Sequence, residues 1–262
     1  MKKLLSRSTL FTLTFARKAT CVSVLAIGVA IAATSVARAS IVLVGTDPAD
    51  SFRELGAQGF GNAPRMLTLQ TNGVETGNVT PVNVANGDAV SGANKSTTPT
   101  ISTLGWTSGA QVGIGFNADQ SNTGITMQSL VLTIFNGTIP VGSFSLSSAL
   151  TPLTFTAADL ALEPGNGSSV FDFGLTAAEQ AQFNAILLQP GSSGFFAGLS
   201  SQLGCPAGAP AGCLVSNDGP DSFIGFAQSG VVPLPTALPL FATGLAGLGL
   251  LGWRRRGKAH AA

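Results

Sequence analysis

The sequence contains no tyrosine and a single histidine, His260, which lies three residues from the carboxy terminus. The rest of the chain therefore has no imidazole to activate a nucleophile or to coordinate a metal ion. The Gly-x-Ser-x-Gly, Walker and His-Glu-x-x-His patterns are also absent. Because these absences exclude most hydrolase mechanisms, we expect that the protein is not an enzyme and carries no catalytic or metal site.

Charged residues are scarce, at 10% of the chain, and they are unevenly placed. Of the 13 Lys and Arg residues, six lie at or before Arg38, four lie at or after Arg254, and three lie between, together with all 12 Asp and Glu residues. The segment 40–230 thus has three cationic and twelve acidic residues, a net charge of −9. This acidity argues against nucleic acid or anionic lipid as a partner.

The amino terminus has the pattern of a secretory signal. Basic residues are followed by an apolar run from Cys21 to Ala33 and by the small-residue pattern of Ala37 and Ala39. We predict a signal peptide over residues 1–39, exported by the Sec machinery and cut by signal peptidase after Ala39. The alternative is a retained membrane helix, although the apolar run is shorter than the ~20 residues that a span requires.

Cysteine is also rare, and only Cys205 and Cys213 would remain after removal of the signal peptide. Export would bring this pair into an oxidising compartment, where an eight-residue separation rich in Pro and Gly is typical of a small disulfide-closed loop. Free thiols are the alternative. A metal site is less favoured, because the segment offers no histidine and no third cysteine.

Turn residues divide the segment 40–230 into short apolar runs, a texture typical of all-β secreted domains. We expect a mainly β fold, an antiparallel β-sandwich resembling a jelly roll, with one or two short helices. The predicted strands are Ile41–Val44, Met66–Thr71, Val79–Val84, Ile101–Trp106, Gln111–Phe116, Ser129–Phe135, Ile139–Leu146, Leu153–Phe155, Val170–Phe173, Phe195–Leu199 and Ser222–Ala227.

A central hairpin is the clearest element. Both faces of the strand Ser129–Phe135 are largely apolar, which predicts a strand that is covered on both faces. Asn136 and Gly137 are expected to supply the two positive φ angles of a tight turn. The chain then returns through Ile139–Leu146.

Two capping boxes predict short helices. Thr156 precedes Asp159, and Thr176 precedes Glu179, each at the spacing at which the hydroxyl and the carboxylate bond reciprocally to backbone N–H groups. The second predicted helix covers 177–188. We therefore interpret these acidic residues as helix caps rather than catalytic acids.

Two loops have side chains with other chemical possibilities. Asp218 and Asp221 form a carboxylate pair of the kind that glycoside hydrolases use, although residues of a Gly-Pro turn more often bond to local backbone. Segments 117–122 and 217–221 are rich in oxygen side chains and make calcium a candidate ligand, but neither has EF-hand spacing.

The carboxy-terminal segment 231–258 differs abruptly in composition. A Pro-rich opening is followed by a stretch without charge up to Trp253, and basic residues close it. Residues 236–253 would form a transmembrane helix about 27 Å long, with its basic end in the cytoplasm and the body outside. A buried core helix is the alternative. The opening consists of Val232, Pro233, Leu234, Pro235 and Thr236, and the basic stop of Arg254, Arg255, Arg256 and Lys258.

In these last 30 or so residues the chain resembles the PEP-CTERM sorting signal, in the variant that opens with Val-Pro-Leu-Pro. Leu234 stands where the commonest motif has Glu, and Thr236 where the variant usually has Ala. The resemblance implies export by Sec and processing by an exosortase, a membrane transpeptidase of Gram-negative bacteria that produce exopolysaccharide. It also implies a location at the inner membrane and then at the cell surface or in the extracellular matrix.

Three functional hypotheses follow. The leading one is a non-enzymatic surface or matrix protein associated with exopolysaccharide or biofilm. The second is a secreted carbohydrate-binding module in which Trp106 and some of the phenylalanines stack on sugar rings, although a lone tryptophan is more often a core residue. The third is a glycoside hydrolase that uses Asp218 and Asp221.

Overall fold

The computed structural model describes residues 40–45, 48, 52–54, 63–81, 83–92, 94–120, 123–162, 169–217 and 219–228. The predicted signal peptide with Ala37 and Ala39 and the predicted tail 231–258 lie outside these residues. Among the described residues, no helix combines the length and apolarity needed to span a membrane.

The described part of the chain is mainly β, as predicted. Its twelve strands are β1 (Ser40–Leu43), β2 (Phe52–Glu54), β3 (Arg65–Leu69), β4 (Val74–Thr80), β5 (Val84–Gly87), β6 (Val112–Asn117), β7 (Ile125–Asn136), β8 (Ile139–Leu146), β9 (Leu153–Phe155), β10 (Ser169–Leu175), β11 (Phe196–Gly204) and β12 (Asp221–Ala227). Its helices are α1 (Ile101–Leu104), α2 (Ala157–Leu160) and α3 (Ala177–Leu187), with 3₁₀ turns at Gly109–Gln111 and Ser192–Gly194.

The strands form one sheet rather than the two antiparallel sheets of the predicted jelly-roll-like sandwich. Its order is β3-β12-β6-β10-β1-β8-β7-β11-β4-β5, with β2 beside β10 and β9 beside β7. The sheet is mixed, because β1 and β8 run parallel while its other described pairs are antiparallel. It also curls: Leu69 of β3 bridges Ala89, which follows β5, so the two ends of the strand order meet.

The predicted hairpin is present, but its turn and its burial differ from the prediction. Asn136 pairs with Ile139, and only Gly137 has a positive φ, of 60°. The two central turn residues are therefore Gly137 and Thr138, and glycine at the first of them is the preference of a type II′ turn. In β7, Leu130, Leu132 and Ile134 are buried, whereas Val131, Thr133 and Phe135 are half-exposed. One face of this strand is thus covered and the other is open.

The strand predicted at 101–106 is instead helix α1. The Thr100 hydroxyl accepts a hydrogen bond from the Thr103 N–H at 3.2 Å, and Gly105 ends the helix with a φ of 69°. Ile101 and Leu104, three residues apart, face the core. The capping and terminating residues outweigh the β propensity of the short apolar run.

The strand predicted at 79–84 is also wrong, because the chain turns between β4 and β5 where Asn83 has a φ of 60°. Both capping boxes are confirmed. Thr176 and Glu179 cap α3, and Thr156 and Asp159 cap α2, with the carboxylate accepting from the backbone N–H in each case.

Aromatic rings fill the interior. Phe116 stacks on Phe223 with ring centroids 4.8 Å apart, and Phe155 lies 4.6 Å from Phe171. Trp106 is 2% exposed, meets Phe183 edge to face, and donates its indole N–H to the Phe226 carbonyl oxygen at 2.8 Å. Trp106 is therefore a core residue and cannot stack on a sugar, contrary to the carbohydrate-binding hypothesis in its original form.

We expect the Trp106→Phe substitution to lower the free energy of unfolding by about 2 kcal/mol, because it removes the indole hydrogen bond and leaves unfilled volume. Urea unfolding would measure this loss. Ile139→Ala, at a side chain that is 67% exposed, is the control and should stay within about 0.5 kcal/mol of wild type. Equal stability of Trp106→Phe and wild type would contradict this account of the core.

Candidate functional site

Two carboxyl groups meet where the ends of the curled sheet come together. Glu75 lies on β4 and Asp221 is the first residue of β12, and both side chains are completely buried. Residues 75 and 221 are distant in sequence, but their carboxyl groups are close enough for each to shift the pKa of the other. We call Glu75 and Asp221 the acid pair.

Most oxygens of the acid pair are bonded to further donors. Glu75 Oε1 accepts from the Thr71 N–H at 2.9 Å and from the Ser216 hydroxyl at 3.1 Å. Asp221 Oδ1 accepts from the Asp119 N–H at 3.0 Å, and its Oδ2 accepts from Gln120 Nε2 at 3.0 Å. Glu75 Oε2 accepts from no N–H or hydroxyl group among the described residues.

Burial disfavours ionisation of the acid pair. Desolvation by burial raises the pKa of Asp221 well above its ordinary value, and the Glu75 charge raises it further. Desolvation also raises the pKa of Glu75, while its hydrogen bonds act in the opposite direction. Each negative charge opposes the ionisation of the other carboxyl group, so the folded protein favours the binding of a proton at the acid pair.

Backbone hydrogen bonds join the same region. The Gly73 N–H donates to the Ser216 carbonyl oxygen at 2.6 Å, and the Asn217 N–H donates to Gln120 Oε1 at 2.9 Å. We call this junction, made by the acid pair with Gly73, Gln120 and Ser216, the closing seam.

The closing seam brings together the two loops considered for calcium. Asp119 and Gln120 lie beside Asp221, while Asp218 falls outside the described residues. Within the part of the chain that the structure describes, no group of three or more His, Cys, Asp or Glu side chains is placed to hold a metal ion. Both Asp221 oxygens are already occupied by protein donors.

Cys205 and Cys213 form a disulfide next to the closing seam, with Cα atoms 5.8 Å apart. The Cys205 N–H donates to the Gly73 carbonyl oxygen at 3.4 Å. Gln128 Nε2 on β7 donates to the carbonyl oxygen of Gly204 at 2.9 Å, just before this loop. The disulfide-closed loop is thus attached to both β4 and β7.

A second feature is a groove on the outer face of β5, β4, β11 and β7. It consists of a section of about 300 Å³ and a smaller one of about 60 Å³, and Asn78 and Ser200 line both sections. Asn86 lies toward one end and Phe135 toward the other. We call it the β4–β11 groove.

The described lining of the β4–β11 groove contains hydroxyl, amide, aliphatic and aromatic side chains but no charged one. Asn86 Nδ2 donates to Asn78 Oδ1 at 2.9 Å, and nearby Gln202 Nε2 donates to the Thr76 hydroxyl at 3.0 Å. The arrangement can exchange hydrogen bonds with a neutral polar ligand. No local sequence pattern predicts the groove, because its residues come from four strands.

Comparison with protein-family models, with curated proteins and with solved structures finds no match to this chain.

We expect stability to fall as pH rises, because the folded protein holds the proton of the acid pair more tightly than the unfolded chain does. The pKa values are raised, so this contribution is complete below about pH 4 and is lost as pH rises through the raised values. The slope reaches about 1.4 kcal/mol per pH unit for one proton. Urea unfolding between about pH 4 and pH 9 measures it.

Glu75→Gln tests the cause of this pH dependence. The amide oxygen can keep the hydrogen bonds from Thr71 and Ser216, and the NH₂ group can donate to an ionised Asp221. We expect the variant to lose less stability than wild type as pH rises. Asp88→Asn is the control, since it removes a nearby negative charge and keeps the acid pair. If the free energy of unfolding of Glu75→Gln and of wild type changed in parallel with pH, the acid pair would not be the cause of the pH dependence.

Proposed function

We propose that the chain is a non-enzymatic exported protein of the cell surface or extracellular matrix, delivered by its carboxy-terminal tail. The observation that carries this proposal is the order of features at the end of the sequence: Val232–Pro235, then an uncharged stretch, then Arg254–Arg256. The tail holds the body outside the inner membrane until an exosortase processes it. The body then remains associated with exopolysaccharide or biofilm.

Two properties of the body support this proposal. Its charge of −9 suits a protein that stays soluble outside the cell and does not bind anionic lipid nonspecifically. The Cys205–Cys213 disulfide suits an oxidising compartment. Both properties agree with the secretory pattern of residues 1–39.

The hydrolase hypothesis receives no support from the position of Asp221. A general acid or nucleophile must reach within about 3 Å of the substrate, but this carboxyl group is 0% exposed and accepts hydrogen bonds from Gln120 and Asp119. The carbohydrate-binding hypothesis loses Trp106 but gains the β4–β11 groove, whose lining is neutral and polar.

Intact-mass analysis tests the delivery route. In a host that has an exosortase, we expect protein recovered from the medium to begin at Ser40 and to lack the residues beyond about Pro235. The Pro233→Ala/Pro235→Ala double variant should keep its carboxy terminus to Ala262, because both prolines of the predicted sorting motif are removed.

The matched control is Pro190→Ala, a proline that is exposed and far from the tail in sequence; it should be processed as wild type is. Wild-type protein that reaches the surface and retains every residue to Ala262 would refute processing. Protein that stays inside the cell would refute export.

A further inference from the structure

We infer that the β4–β11 groove binds a neutral, hydroxyl-rich glycan chain. This inference deepens the proposed function by assigning a ligand class and a site, and it rests on that function only for the place where the ligand is met.

Asn86 Nδ2 donates to Asn78 Oδ1, and Asn78 is opposite Ser200 in the sheet. This orients the two amides toward each other while Asn78 Nδ2 and Asn86 Oδ1 have no partner among the described residues. One donor and one acceptor thus lie near the Ser200 hydroxyl. Sugar hydroxyls are both donors and acceptors, so they can satisfy all three groups.

Strand β4 is paired with both β5 and β11, and β11 is paired with both β4 and β7. The N–H and C=O groups of β4 and β11 on the groove floor are therefore used within the sheet. A peptide that binds by strand addition needs an unpaired edge, which these two strands lack. Recognition along β4 and β11 must come from side chains.

Phe135 is half-buried, whereas the phenylalanines that pack in the core are buried. Its ring extends over Gly198 of the neighbouring strand, where a Cβ atom would lie only 2.8 Å from Phe135 Cε2. Glycine at this position thus lets the ring lie along the sheet. A half-exposed ring of this kind offers an apolar surface to the C–H face of a sugar.

Among the residues that the structure describes, no cationic side chain lines the groove, and the body carries −9, so a polyanion would be repelled. The nearby Asp88 accepts from the Thr76 N–H at 2.8 Å and is engaged with the sheet. From β5 to β7 the groove crosses three strand spacings, roughly 14 Å. This length suits several linked sugar rings rather than a single one.

Affinity electrophoresis of the exported protein, purified in the form in which it is recovered, tests the inference. The gels contain a β-glucan, an α-glucan or a galactomannan as neutral probes, and alginate or polygalacturonate as acidic probes. We expect at least one neutral polymer to retard the wild type and neither acidic polymer to do so. The Asn78→Ala/Asn86→Ala variant should bind that neutral polymer about tenfold more weakly, because two amide groups are lost.

Asn136→Ala is the matched control, since it removes an exposed amide from the β7–β8 turn outside the groove; its retardation should equal that of wild type. Ser200→Gln is a second test, because its longer side chain fills the centre of the groove from a half-exposed position and should weaken binding of the neutral polymer. This variant tests the inference if the double variant does not fold. No retardation by any neutral polymer, unchanged binding by folded groove variants, or preference for an acidic polymer would overturn the inference. Tail processing is measured separately by mass, so either proposal can fail alone.

Discussion

The whole fold depends on closing one sheet on itself at the closing seam. A sheet with two free ends would expose backbone N–H and C=O groups of its terminal strands. Such groups can pair with strands of other chains. Here β3 meets the residue after β5, and the acid pair joins β4 to β12. The interior that results is deep enough for the stacked phenylalanines. A buried polar contact thus sits at the point where the apolar core is completed.

This junction buries two acidic side chains among uncharged donors. The described residues around the acid pair supply amide, hydroxyl and backbone N–H donors, but Glu75 still lacks a donor for one oxygen. The binding of a proton at the acid pair lowers the charge that is buried in the interior. The disulfide-closed loop lies directly beside this junction, so a covalent link and a buried polar contact stabilise the same place by different means.

Local signals in the sequence predict local structure well. The hairpin from β7 to β8, the strands β8 and β9, and both capping boxes follow from patterns a few residues long. The Cys205–Cys213 pairing in the structure matches a spacing argument of the same range. The apolar run of helix α1 predicts a strand when it is taken alone. The Thr100 cap and the Gly105 terminator outweigh that preference in the structure.

Long-range features could not be predicted in this way. Nothing in the sequence around Glu75 indicates that its partner is Asp221, because their contact depends on how far the sheet curls. The outer face of β7 is unpredictable for a related reason: Val131 and Phe135 suggest burial, but no second layer of described residues covers them fully. The prediction of two sheets followed from that error.

The position of β12 has a consequence for the order of events at the membrane. This strand lies between β3 and β6, yet it ends at Ala227, only eight residues before Pro235. Eight residues reach at most about 28 Å when fully extended. On the proposed route the body cannot complete its sheet until nearly all of it has crossed the membrane. A transpeptidase would then cut the chain only a few residues after a folded domain. The released protein would carry only those few residues beyond β12.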